Sequence, residues 1–294
     1  MSEQGVARRT VLAGAALGAA ASGMRAARAA ALPPFQAIRY ETQGPICIIT
    51  LDRPEADNVA DGHMLRELPL AWEAFRTDET LKVAIFTGAG SQAFCGGVDI
   101  GAFRASAGPA LAHPPRDEGI RTYTAKHNRC WKPVIAAING FVAGPGLHFM
   151  LDADICIAVS EATFFDLHLH RTGSVPIIEP IEMARKIPQE AVSRMFLLGP
   201  HDPISAERAR QLGLISEITH RNRLLARAIE MALQIAQADL YLTMAFIESM
   251  YKARELGVTE AINRGLIIRQ MTGYRPAPMR DVPLGDLARS GSKL

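Results

Sequence analysis

VIAAINGFVAGPGLHFML, residues 134–151, is the stretch whose reading decides the fold. It opens on five consecutive apolar residues, the mark of a strand buried on both faces. A glycine-rich turn, NGFVAGPG (139–146), follows, and then an apolar helix to about Leu151. Glycine lets a backbone approach a ligand closely, and the start of a helix favours negative charge. A turn of this kind aims backbone N–H groups at an anionic or polarised oxygen. Two residues qualify that reading. Pro145 sits inside the turn and has no N–H to give. His148 lies just inside the helix, where an imidazole serves either as a proton-transferring group or as a core histidine bonded to a backbone carbonyl.

Working outward, a second loop has the same form. FCGGVD (94–99) follows the apolar run VAIFT (83–87) and leads toward another helical start. Two N–H groups converging on one oxygen form an oxyanion hole, and losing one donor costs about 10²–10³ in rate. Further upstream, ICIITL (46–51) reads as a buried strand. Leu65, Leu68, Trp72 and Phe75 recur at three- and four-residue spacing and form one helix face. Pro69 within that stretch predicts a helix that starts near it or kinks there. Residues 104–118 read as a proline-rich loop, and 119–131 as a helix. Downstream, Ile155–Val159 and Thr163–Phe165 are short strands, and a helical pattern begins at Glu179. Ser205 is an N-cap for a helix that Gly213 stops, and two or three helices follow over 222–273. Alternating strands and helices predict an α/β fold. Gly88-x-Gly90-x-x-Ala93 formally fits a dinucleotide fingerprint, but no helix opens on those glycines as that site requires.

Taken together, these segments resemble the crotonase (enoyl-CoA hydratase/isomerase) superfamily. ITLDRPEADNV (49–59), VAIFTGAGSQAFCGGVDI (83–100), KPVIAAINGFVAGPGLHFMLDADICIAVSEATFF (132–165) and ISAERARQLGLISEI (204–218) carry the likeness, which spans about residues 36–273. The resemblance implies a ββα spiral core and a C-terminal helical trimerisation region. It also implies a thioester substrate, with coenzyme A as part of the substrate and no separate cofactor, whose carbonyl becomes an enolate. The family's first oxyanion donor falls on Val98, beside Gly97. The second falls on Pro145, flanked by Gly144 and Gly146. The two hydratase glutamates fall on His148 and His168. One subgroup has FFDPHV, then a glycine, then Glu-Pro-Ile. Here FFDLHL, Gly173 and Glu179-Pro180-Ile181 are similar, with one extra residue around His170. That makes Glu179 a candidate acid or base and Asp166 the group that orients His168. The implied reaction is hydration or double-bond isomerisation of an acyl-CoA. Alternatives are C–C hydrolysis of a β-diketone and a non-catalytic crotonase scaffold.

Composition bounds the rest. With 294 residues and 48% hydrophobic content the chain supports a sizeable core. A net charge of +2 is too balanced for a nucleic-acid partner. The expected partners are a small thioester or diketone and further copies of the chain, as a homotrimer or hexamer. Four widely spaced cysteines read as small core residues. Asp166, His168 and His170 alternate and would share a strand face. With His148 they form a conceivable zinc set, yet no HExxH-like context supports it, and no metal is expected. Residues 1–31, with Arg8-Arg9 before an Ala/Gly/Leu stretch, read as a twin-arginine export signal whose apolar part is too short for stable membrane insertion. Export to the periplasm follows if Met1 is the true start, and a cytoplasmic protein if Met24 is. The expected organisation is signal 1–31, spiral core 32–221, and C-terminal helices and tail 222–294.

Overall fold

A computed structural model describes residues 32–99, 101 and 123–273. The expected export signal, the loop at 104–118, residues 119–122 and the tail beyond 273 lie outside the described residues. In chain order the strands are β1 (Ile38–Gln43), β2 (Ile46–Leu51), β3 (Val83–Gly88), β4 (Ala93–Cys95), β5 (Val134–Ile138), β6 (Phe141–Ala143), β7 (Ile155–Val159), β8 (Thr163–Phe165), β9 (Ile204–Ser205) and β10 (Glu217–Thr219). The helices are α1 (Gly62–Thr77), α2 (Pro145–Leu151), α3 (Ile178–Met183), α4 (Gln189–Leu198), α5 (Ala206–Leu212), α6 (Leu224–Ile235), α7 (Leu240–Ala253) and α8 (Val258–Met271).

Two sheets form the core. The larger has the order β1-β2-β3-β5-β7-β10 and the smaller β4-β6-β8-β9. β1 and β2 pair antiparallel as a hairpin, while β2, β3, β5, β7 and β10 run parallel. Consecutive strands alternate between the sheets: β3 then β4, β5 then β6, β7 then β8. Each turn of the spiral therefore adds one strand to each layer. The fully apolar runs of β2, β3 and β5 are buried along their whole length, as parallel strands covered on both faces must be.

Helix α1 differs from its sequence expectation. It starts seven residues before Pro69 and runs through it. Asp61 caps it, its Oδ1 accepting from His63 N at 3.0 Å and Met64 N at 2.9 Å. A proline in a helix interior costs about 3 kcal/mol. Met64, Leu65, Leu68, Trp72 and Phe75 are all buried on one face, and each such burial contributes about 1.5–3 kcal/mol. Packing outweighs the local penalty. Lys132, buried itself, ends the helix by donating from Nζ to Phe75 O at 2.7 Å and Asp78 O at 2.6 Å.

The helix expected over 119–131 is also corrected. Its described part holds 3₁₀ geometry at Tyr123 and a 3₁₀ turn at Lys126–Asn128, after which Arg129 adopts a left-handed φ of 54°. Asn128 Nδ2 donates to Thr124 O at 2.8 Å and Lys126 N donates to Asp152 Oδ2 at 2.9 Å. These local bonds compete with helix propagation, and Pro133 disfavours a helix in the residue before it. Elsewhere the reading and the structure agree. The pattern from Glu179 resolves into α3 and α4, broken at Pro188. Ser205 Oγ accepts from Arg208 N at 3.2 Å, and Gly213 closes α5 in the left-handed region. The four cysteines are free and buried. Asp154 has a structural role, its Oδ2 accepting from Lys126 Nζ and Val134 N, each at 2.8 Å. Among the described residues no helix is long and apolar enough to cross a membrane.

Candidate active site

The alternation of strands between the sheets assembles the site. β4, β6 and β8 are parallel neighbours in the small sheet, with Cys95 opposite Val142 and Ala143 opposite Phe165. Three segments remote in sequence, those that follow Cys95, Ala143 and Phe165, therefore leave the sheet side by side. Together they wall a cavity of about 450 Å³, lined by Gly97, Val98, Gly144, Pro145 and His168. Arg53, Asp99, Arg171 and Thr172 complete much of its rim.

The two glycine turns face one another. Gly97 has φ 125° and Gly144 φ 49°, a region L side chains rarely adopt. A Cβ on Gly144 would lie 3.7 Å from Gly97 Cα. Val98 is held by its neighbours: Ala60 N donates to Gly97 O at 2.9 Å, and Asp99 N donates to Ala60 O at 2.9 Å. That bridge fixes the chain on both sides of Val98 but leaves its own N–H without a hydrogen bond among the described residues. Opposite it, Pro145 is the first residue of α2. Proline suits that position because the N–H there has no partner within the helix, but it offers the cavity no donor. Gly146 does not line the cavity. It packs against β4, where a Cβ would meet Cys95 O at 2.5 Å.

His168 is the imidazole of the cavity wall. Its backbone N–H donates to Asp166 Oδ1 at 2.8 Å, and its ring Nδ1 lies 2.7 Å from Asp166 Oδ2. A carboxylate only accepts, so Nδ1 carries the proton and Nε2 is the nitrogen left for the cavity. Asp166 is wholly buried, whereas the His168 side chain is 20% exposed. The Asp166 hydrogen bond outweighs the opposing effect of burial and holds the His168 pKa above its ordinary value, with Glu179 adding in the same sense. Residues 168–172 form a π-helical turn, with Thr172 N donating to Leu167 O at 3.3 Å. Such turns recur at functional sites. This one accommodates the extra residue near His170.

That turn also removes the premise of a zinc set. Residues 166, 168 and 170 are not on one strand. His170 turns away, its Nε2 lying 2.8 Å from Leu197 O and its ring against His201. No group of three or more metal-ligating side chains was found among the described residues.

His148 and Glu179 are buried and do not line the cavity. Among the described residues His148 bonds no backbone carbonyl. Its Nδ1 lies 3.5 Å from Glu182 Oε2, and its ring stacks on His127 with centroids 5.2 Å apart. Burial lowers the His148 pKa, but Glu182, Asp152 and Glu179 together overcome this and raise it. Burial raises the Glu182 pKa, and His148 reverses that to a net lowering. The Glu179 side chain carries no hydrogen bond among the described residues and acts electrostatically on both imidazoles. The sequence reading missed Glu182. Its signal was the three-residue spacing from Glu179, which places both carboxylates on one side of α3. Arg53 and Arg171 were missed because no local pattern marks a charged rim.

The family described as Enoyl-CoA hydratase/isomerase matches residues 41–270. The (E)-benzylidenesuccinyl-CoA hydratase of Thauera aromatica is 30% identical over 236 residues, covering 78% of this chain and 86% of that protein. The carnitinyl-CoA dehydratase of Proteus mirabilis is 33% identical over 229 residues, covering 76% and 84%. The crystal structure of an enoyl-CoA hydratase/isomerase from Mycobacterium paratuberculosis superposes with a TM-score of 0.75 at 33% identity, covering 81% of this chain and 91% of that one.

Proposed function

Because the chain belongs to the enoyl-CoA hydratase/isomerase family, we propose that it adds water to, or removes it from, an acyl-CoA thioester through an enolate formed in the cavity. The observation that carries this reading is the shared wall: a Val98 N–H without a hydrogen bond among the described residues, the Gly144–Pro145 turn facing it, and His168 fixed by Asp166. Relatives named as a hydratase and a dehydratase support hydration and its reverse over isomerisation.

The thioester oxygen sits against Val98 N–H. His168 Nε2 takes a proton from water as the water oxygen bonds to C3 of the enoyl group. The C2–C3 π electrons move onto the thioester as an enolate, which Val98 N–H stabilises. The proton then returns from His168 to C2, giving a 3-hydroxyacyl thioester. Asp166 sets the tautomer that leaves Nε2 free and stabilises the imidazolium between the two transfers. One strong donor, where the family's relatives expect two, makes this a weaker oxyanion site, by up to about 10²–10³ in rate. Arg171 brings positive charge to the lining, while Arg53 is paired with Asp61 at 3.4 Å and Asp99 adds a carboxylate.

Self-association through the C-terminal helices belongs to the same reading. Tyr241, Phe246, Met250, Ile262, Ile267 and Met271 are exposed, while α7 and α8 bury only Ala245, Ile247 and Ile268. Light scattering should return three or six subunits; a monomer contradicts this part.

The test of the chemistry is a panel of enoyl-CoA thioesters and cyclic β-diketones, followed by product analysis, with wild type and His168→Gln. Hydration of a thioester, lost in the variant, is the expected result. Turnover of diketones alone moves the protein to C–C hydrolysis. Equal inertness of both proteins on every substrate leaves a scaffold.

A further inference from the structure

The side chains around His148 leave polar atoms that need an explanation. Among the described residues, His148 Nδ1 and Nε2, Glu182 Oε2 and Asp152 Oδ1 are buried without a hydrogen bond, although His148 Nδ1 and Glu182 Oε2 face each other as an ion pair at 3.5 Å. Buried polar groups are normally satisfied, and each exception costs about 1–3 kcal/mol. Four in one place mark a site kept for something other than stability.

The position of His148 gives the reason. Helix α2 is seven residues long, too short to be stable on its own. It begins at the Gly144–Pro145 turn of the cavity wall, and His148 lies about one helical turn inside it. Whatever fixes His148 fixes that turn. The groups facing it come from three elements. Glu182 and Glu179 come from α3, Asp152 from the end of α2, and His127 from the 3₁₀ turn. Tyr251 of α7 lies beyond His127, its Oη 3.4 Å from His127 Nε2, and Arg254 acts on Glu182. Three carboxylates around one buried imidazole favour its charged form. A buried charge held by one partner is strongly destabilised when that partner is lost.

We propose that Glu182 is a positioning residue for the reaction: through a charged His148–Glu182 pair it locks α3 to α2 and holds the Gly144–Pro145 turn opposite Val98. The proposal rests on the acyl-thioester reading above. Glu182 does not line the cavity, so its effect falls on the geometry of the turn. Displacements of about 1 Å in such sites cost about 10²-fold in rate, and smaller ones proportionately less.

The test uses the full chain with Glu182→Gln, which keeps the shape and removes the charge, and Glu182→Asp, which keeps the charge. For an enoyl-CoA substrate Glu182→Gln should lower kcat by about tenfold with KM within about twofold, and Glu182→Asp should recover part of the loss. In parallel, NMR of ¹⁵N-labelled histidine should show the His148 titration midpoint falling by about one pH unit or more in Glu182→Gln. A lowered melting temperature with unchanged kcat and KM overturns the proposal and leaves Glu182 a structural residue. An unchanged His148 titration also overturns it. A wild type inert on every thioester defeats the functional reading instead, and the NMR arm then decides the pair alone.

Discussion

Two histidine–carboxylate pairs occupy the positions where the family resemblance places glutamates, and they differ in almost everything else. His168 and Asp166 are bonded at 2.7 Å, and the imidazole is part of a cavity wall. His148 and Glu182 stand 3.5 Å apart, outside that wall, and neither imidazole nitrogen makes a hydrogen bond among the described residues. The same side chain at two aligned positions thus meets two sets of physical demands. A group that exchanges protons with substrate needs one free nitrogen, a fixed tautomer and access. A group that holds two helices together needs burial and charge, and access would weaken it. Residue identity alone does not separate these roles; the partner and its exposure do.

The largest expected effect falls on the accessible pair. His168→Gln should reduce kcat by about 10²–10⁴, the usual contribution of a positioned acid–base group, while His148→Gln should lose about tenfold or less. Comparable losses from the two would break the comparison. Asp166→Asn comes next and has a directional signature. The Asp166 bond raises the His168 pKa, so a base at this position works only above that raised value. Removing the carboxylate should move the acidic limb of the kcat/KM profile to lower pH while lowering the plateau. A limb that stays in place assigns it to another group.

Pro145→Gly sharpens the comparison from the opposite wall. It restores an N–H where the family places one, and kcat should rise by about tenfold or more if a second donor limits the rate. The unfolded chain gains freedom, so stability should fall by about 0.4–1 kcal/mol. No gain in kcat means that Val98 alone suffices or that the restored N–H does not face the substrate. The smallest effect concerns the buried pair. The His148 pKa is raised in the folded protein, so its stabilisation is complete below the ordinary imidazole value and is lost as pH climbs through the raised one. Urea melts of wild type and His148→Gln should therefore converge as pH rises from 6 to about 9. Divergence with rising pH contradicts a charged pair.

Much of this was legible in the sequence, because the signals were local. Apolar runs gave β2, β3 and β5, glycine turns marked the cavity wall, and Ser205 and Gly213 bracketed α5. Failures arose where tertiary forces overrode local rules. Pro69 did not start α1, which begins seven residues earlier at Gly62, because the buried face around Trp72 outweighs its penalty. Residues 123–131 were not helical, because Asn128 and Asp152 bond the backbone that a helix would use. The alternation of 166, 168 and 170 suggested a strand, but an extra residue turned the segment into a π-helical turn and parted His170 from His168. Glu182 was missed for another reason: its spacing from Glu179 is local, but its partner is not. Its meaning lies in a contact with a residue 34 positions earlier, which no periodicity records.

The central claim, that His168 moves a proton at the carbon next to a thioester carbonyl, has a direct test that does not depend on the overall reaction. Butyryl-CoA incubated with the protein in D₂O should exchange hydrogen for deuterium at C2, read by NMR or mass spectrometry. The account predicts exchange with wild type and a loss of about 10² or more with His168→Gln. Equal exchange in both proteins, or none in wild type despite bound butyryl-CoA, would contradict it.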